Sequence, residues 1–254
     1  MARLDLERVS RHFFGVEALK GLTMSVLPGR VTGLIGPNGA GKTTVVNLIT
    51  GLLKLTEGRI RLEGEDISEL PPHAVARLGV ARTFQNIRLL HEASVVENIV
   101  AGFHTSDHTS LPAQALGLAS VRRVRAGLVQ RARELLAEFA MEEYAECLAG
   151  ELSYGHQRRV EIMRALALAP SVLLLDEPAA GMSDGEADEL GAIFRRLADR
   201  GLALLVIEHN MRLVMSLCDE MYVLDSGELI CSGAPERVRS DPRVIEAYLG
   251  GEAC

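Results

Sequence analysis

Gly36-Pro37-Asn38-Gly39-Ala40-Gly41-Lys42-Thr43-Thr44 has the spacing G-x-x-x-x-G-K-T, a pattern suited to holding a chain of phosphates. The small residues let successive backbone N–H groups turn inward around phosphate oxygens. A helix that follows such a loop aims its positive end at the same anion. Lys42 supplies a mobile cation for the β- and γ-phosphates, and the Thr43 hydroxyl suits Mg²⁺. A glycine-rich turn with a chance lysine is the plainer alternative, and the flanking residues argue against it. Val31-Thr32-Gly33-Leu34-Ile35 reads as a buried strand before the loop. Val45 onward, continuing to Leu53, reads as a helix with Val45, Leu48, Ile49 and Leu52 on one face.

A second cluster is Ser171-Val172-Leu173-Leu174-Leu175-Asp176-Glu177-Pro178, an apolar strand that ends in two carboxylates. Beside an upstream phosphate loop, an aspartate in this place helps hold Mg²⁺. Glu177 would then face the γ-phosphate and polarise an attacking water. Without the phosphate loop, the pair would read as a helix cap after a core strand.

Other residues are ambiguous on their own. Gln85 follows the strand Val80–Phe84 and is either a surface amide or a ligand to metal and water. Ser153, with Gly155 two residues on, caps a helix running from His156 to Leu168, either as an ordinary N-cap or as an anion-binding helix end. His209 ends the apolar strand Leu202–Ile207, on the edge where such sheets bind ligands, or sits in a surface loop. Phe13-Phe14-Gly15 is either a packed turn or an adenine-stacking platform, and packing is the commoner use. His104, Asp107 and His108 imitate a metal cluster but lie in a polar, loop-like stretch with no further ligand near. The run Arg122-Arg123-Val124-Arg125 reads as a solvated face in preference to a lipid-headgroup contact.

These residues need strands to carry them. Leu4–Val9, Ala18–Leu27 and Arg59–Leu62 read as strands joined by turns at Pro28-Gly29 and Thr56-Glu57-Gly58. The largely apolar strand 31–35, with the fully apolar 172–175 and 202–207, fits a parallel sheet covered on both faces. Residues 86–152 read as a mainly helical region, with a long arginine-rich helix over Val121–Phe139. An amphipathic helix spans Gly185–Arg200, and a hairpin turns at Asp225-Ser226-Gly227. Residues 235–254 read as a helical tail. The fold class is therefore α/β.

The 254 residues are 48% apolar, enough for a sizeable core, and the net charge of −7 gives no support to nucleic-acid binding. Charges in Met1–Arg8 argue against a secretory leader, and no apolar run approaches a membrane span. Cys147, Cys218, Cys231 and Cys254 lack C-x-x-C spacing, which speaks against a disulfide framework or zinc site and for a reducing compartment.

Phosphate loop, end-of-strand glutamine, L-S-x-G turn, and L-L-L-D-E followed by a strand-end histidine occur here in one order. That order resembles the ATP-binding cassette (ABC) family of transport ATPases over the whole chain. The resemblance implies a single ABC ATPase domain over 1–254, with a RecA-like P-loop NTPase core, an antiparallel β subdomain and an inserted helical subdomain. Ala179-Ala180-Gly181-Met182, Ile207–Met215 and the ending Val244–Gly250 are similar to the high-affinity branched-chain amino acid importers. A lipopolysaccharide-export ATPase has a similar tail, and lipid export is the alternative. A non-transport cassette acting on ribosomes or DNA would need a second cassette or a long coiled coil. The implied roles are adenine stacking for Phe13 (with Phe14 open), phosphate binding for Gly36 to Thr44, and Mg²⁺ with its waters for Thr43, Gln85 and Asp176. Glu177 would be the base and His209 the γ-phosphate contact. Ser153 and Gly155 would close on the ATP of a second, head-to-tail ATPase subunit. The implied partners are two permease subunits and an external solute-binding protein, at the cytoplasmic face of the membrane. The sequence departs from the family at Tyr154, His156 and Ser183.

Overall fold

The computed structural model describes residues 3–83, 87–103 and 119–249, with the backbone alone at 119–122 and 249. The chain divides into two compact units, one made of residues 1–82 with 171–254 and the other of 83–170.

The first unit holds two sheets. Strands β1 (Leu4–Phe13), β2 (Val16–Val26), β4 (Glu57–Leu62) and β5 (Glu65–Asp66) form an antiparallel sheet in the order β2-β1-β4-β5. Strand β1 runs four residues past the expected Val9 because register shifts between Leu6 and His12 keep it paired with β2. The second sheet contains β3 (Val31–Ile35), β6 (Val80–Arg82), β7 (Val172–Asp176), β8 (Ala203–Ile207), β9 (Glu220–Asp225) and β10 (Glu228–Gly233) in the order β10-β9-β3-β8-β7-β6. All neighbours in it are parallel except the edge hairpin β9–β10. Every residue of β3, β7 and β8 is buried, as a parallel sheet covered on both faces requires. One apolar core joins the two sheets, from Leu4, Leu22 and Ile60 to Leu34, Leu174, Leu205 and Leu224.

Helix α1 (Lys42–Ile49) ends sooner than the apolar spacing suggests. Gly51 takes φ +70°, where an added Cβ would meet the Leu70 carbonyl oxygen at 2.5 Å. Leu52 is consequently exposed, not part of the buried face. Helix α2 (Pro72–Arg77) follows in the same unit.

The second unit carries α3 (Val95–Gly102), α4 (Ala119–Glu138) and α5 (Tyr154–Leu166). A capping box between Ser94 and Glu97 starts α3. The fully buried Asn98 binds the preceding loop through the Leu90 N–H (2.8 Å) and the carbonyls of Leu90 (3.0 Å) and Ser94 (3.0 Å). Gly102 lets α3 approach α5, since a Cβ there would stand 2.5 Å from the Arg164 carbonyl oxygen.

Back in the first unit, α6 (Asp184–Asp199) starts with Ser183 and Glu186 as a capping box. The serine at the departure from the family pattern is thus a helix cap. Helix α7 (Met211–Leu217) lies close on β3, where a side chain at Gly33 would meet Cys218 Sγ at 2.9 Å. The tail is two helices, α8 (Pro235–Ser240) and α9 (Pro242–Leu249), because Pro242 forces Asp241 out of helical geometry.

Candidate functional site

The strand order β3-β8-β7 sets three carboxyl ends side by side. Leu34 pairs with Ile207, and Ile207 with Asp176, so the phosphate loop, the Glu208-His209 turn and the Asp176-Glu177 pair leave one edge of the sheet. Ligands bind at this edge in α/β sheets.

The phosphate loop is shaped by its glycines. Gly36 has φ +149° and Gly41 has φ +104°. A Cβ on Gly36 would lie 2.1 Å from the Leu224 carbonyl oxygen, so no side chain fits there. Helix α1 begins at Gly41 with no side-chain cap. Its leading amides therefore suit an anionic ligand. Lys42 Nζ donates to the carbonyls of Gly36 (2.6 Å) and Pro37 (2.9 Å). Burial lowers the Lys42 pKa, while the Glu177 and Asp176 carboxylates act to raise it. Asn38, Gly39 and Thr43 are exposed, and Ala40 is buried.

Asp176 is held from the next strand over. Arg82, at the end of β6, donates to Asp176 Oδ2 (3.2 Å) and, through its other terminal nitrogen, to Asn47 Oδ1 on α1 (2.6 Å). The pair is largely buried, with side chains 11% and 7% exposed. The guanidinium thus ties the strand-end carboxylate to the helix that carries Thr43. Loop amides, an ammonium, a hydroxyl and a carboxylate form a donor set that fits a polyphosphate with a hard divalent cation.

Glu177 takes φ +49°, a conformation that costs about 1–2 kcal/mol for a non-glycine residue. Its N–H donates to the Ile207 carbonyl at 2.9 Å. His209 Nδ1 stands 3.8 Å from Glu177 Oε1, beyond hydrogen-bond distance. Glu208, the residue before His209, is 1% exposed. Its Oε1 accepts from the Ala179 N–H (2.8 Å), and its Oε2 from the N–H groups of His209 (3.2 Å) and Asn210 (3.5 Å).

Phe13 and Phe14 differ sharply. Phe13 is half-buried, with the Arg11 guanidinium 4.5 Å above its ring. Phe14 has φ +45° and is fully exposed.

In the second unit, Ser153 Oγ accepts from the His156 N–H at 3.3 Å, and Gln157 Nε2 donates to the Leu152 carbonyl at 3.0 Å. Gly155 is buried, and Tyr154 is exposed. The helix starts at Tyr154, two residues earlier than expected, because Ser153 caps it directly. The His156 ring packs on Tyr144, with ring centroids 4.5 Å apart.

The structure therefore gathers Gly36 to Thr44, Asp176, Glu177 and His209 at one sheet edge, and sets Ser153 and Gly155 in the other unit. Gln85 lies outside the described residues, as do His104, Asp107 and His108. Sequence reasoning missed Arg82, Asn47 and Glu208. Arg82 had one signal, a charge at the end of an apolar strand.

A family model described as ABC transporter matches residues 19–180. A second, described as Branched-chain amino acid ATP-binding cassette transporter, matches residues 228–254. The high-affinity branched-chain amino acid transport ATP-binding protein BraF of Pseudomonas aeruginosa is 42% identical over 248 residues, 97% of each chain. LivG of Escherichia coli, which carries the same description, is 40% identical over the same length and again covers 97% of each chain. Among solved structures, a nucleotide-free ATP-binding cassette from an ABC transporter superposes with a TM-score of 0.85 at 34% identity, covering 98% of this chain and 99% of that one.

Proposed function

The chain belongs to the ABC transporter family of ATPases, and from that premise we propose that it powers a membrane importer for branched-chain or related amino acids. The observation that carries this reading is the identity of 40–42%, over nearly the full length, to two proteins named for high-affinity branched-chain amino acid transport. The separate match at residues 228–254 supports the same branch over lipid export.

The two units are read as parts of one cassette. ATP is the substrate, and its phosphates take the amides of Gly36 to Thr44 with the Lys42 ammonium. Pro37, Asn38 and Ala40 shape the turn. Mg²⁺, when bound, supplies a positive centre that gathers phosphate oxygens and polarises the γ-phosphate. Thr43, Gln85 and Asp176 are the residues that would hold it or its waters. Glu177 orients the attacking water and accepts its proton. His209 contacts the γ-phosphate from the next strand end. For the adenine, Phe14 is favoured over Phe13, because Arg11 already covers one face of the Phe13 ring.

Ser153 and Gly155 serve the nucleotide of a second ATPase subunit, and the loss of γ-phosphate charge releases the pair. Two permeases and an external solute-binding protein complete the importer. Among the described residues no helix is long and apolar enough to cross a membrane, and in this reading the permeases hold the chain at the cytoplasmic face.

Two measurements test the proposal. Glu177→Gln is expected to retain ATP binding while hydrolysis nearly stops, and normal turnover would remove Glu177 as the base. Purification with native partners is expected to recover two permeases of the amino-acid type. Recovery of lipid-export permeases would leave the ATPase chemistry standing and overturn the importer.

A further inference from the structure

Glu177 and His209 are 3.8 Å apart, too far for a hydrogen bond between them. Their spacing is set by their neighbours. The backbone bond from the Glu177 N–H to the Ile207 carbonyl joins the two strand ends once. The Glu208 side chain joins the loops beyond them a second time. One carboxylate oxygen takes the Ala179 N–H, two residues after Glu177, and the other takes the N–H groups of His209 and Asn210. An ionised carboxylate has acceptor sites for all three bonds, and charge-assisted bonds to N–H groups are strong. Its carboxylate points away from solvent, so water does not compete for these donors.

We propose that Glu208 is a positioning residue that latches the loop after the catalytic carboxylate to the histidine loop, so that the two shift as one body. Movement of His209 toward or away from a phosphate then carries Ala179, and with it the segment leading to Ser183 and α6. Glu208 touches no substrate in this scheme. It acts by holding His209 in place relative to the loop after Glu177, and the inference rests on the ATPase reading above for its catalytic consequence alone.

The test uses the full chain with Glu208→Gln, and Glu208→Ala for comparison. Glutamine keeps the size of the side chain, but it has one carbonyl oxygen and adds a donor that faces N–H groups. Amide hydrogen exchange without nucleotide is expected to speed up about tenfold or more at Ala179, His209 and Asn210, with the amides of β7 and β8 unchanged. In turnover, kcat is expected to fall about tenfold while KM for ATP stays within about twofold. On a His209→Ala background, measured in single turnover, Glu208→Gln is expected to add less than about a twofold loss. Unchanged exchange in the two loops would overturn the proposal. So would faster exchange spread through β7 and β8, or equal fold losses with and without His209. A wild-type chain that hydrolyses no ATP would instead defeat the ATPase reading, and the exchange measurement would still decide whether the latch exists.

Discussion

Replacing Arg82 by methionine removes a guanidinium from Asp176 and Asn47 while keeping an unbranched chain about as long as the arginine stem. The pair is nearly buried, at 11% and 7% side-chain exposure. Removing one partner of a buried ion pair typically costs about 3–5 kcal/mol. Because both side chains keep a little exposure, the expected loss is near the lower end, about 3 kcal/mol. For a chain of this size that corresponds to a fall in Tm of roughly 6–12 °C. The assay is thermal unfolding followed by circular dichroism, read on the transition of the first unit. Arg82→Lys is expected to recover only part of the loss, since one ammonium cannot bridge two acceptors with the fixed fork of a guanidinium. ADP with Mg²⁺ is expected to narrow the gap to wild type, because a divalent cation at Asp176 replaces the missing positive charge, whereas ADP alone leaves it. Asp176→Asn should add little to Arg82→Met. The reasoning is refuted by a Tm within about 2 °C of wild type, or by losses that add to within about 0.5 kcal/mol in the double variant.

Gly36→Ala is expected to cost about 3 kcal/mol or more in thermal unfolding, since its Cβ would lie 2.1 Å from the Leu224 carbonyl oxygen, whereas Gly39→Ala meets nothing within 4 Å and carries only the roughly 1–2 kcal/mol of its positive φ. Phe14→Ala is expected to weaken ATP binding about three- to tenfold in a fluorescence titration and Phe13→Ala less than twofold; the reverse order would return the adenine to Phe13. Ser153→Ala should lower stability by about 1 kcal/mol through loss of the α5 cap. A bulky residue such as Ser153→Phe should leave ATP binding by the single subunit intact and block ATP-driven dimerisation in size-exclusion chromatography.

The residues legible in the sequence are those whose neighbours along the chain make their environment. The phosphate loop, its strand and its helix are contiguous, and Asp176 closes a five-residue buried strand with Glu177 directly after it. The capping box at Ser183 is also local, in the S-x-x-E spacing of Ser183 and Glu186, although against the family pattern Ser183 stands out only as a departure. The residues that escaped are those defined by partners far along the chain. Arg82 meets Asn47 and Asp176, and Glu208 meets Ala179. A one-dimensional pattern carries no signal for such meetings until the strand order is known. Element ends were missed for local reasons of a finer kind. Gly51 stops α1, register shifts prolong β1, and Pro242 divides the tail.

Asn98 has a mechanical consequence. Its amide fastens both the N–H and the carbonyl of Leu90, together with the first carbonyl of the capping box, to the middle of α3. The stretch from Leu90 to Ser94 is therefore tied to α3 at both of its ends. Leu90 itself is exposed, so the loop presents an apolar side chain on a backbone already fastened to the helix. The same helix approaches α5 closely at Gly102, so the loop, α3 and α5 are joined in series by direct contacts.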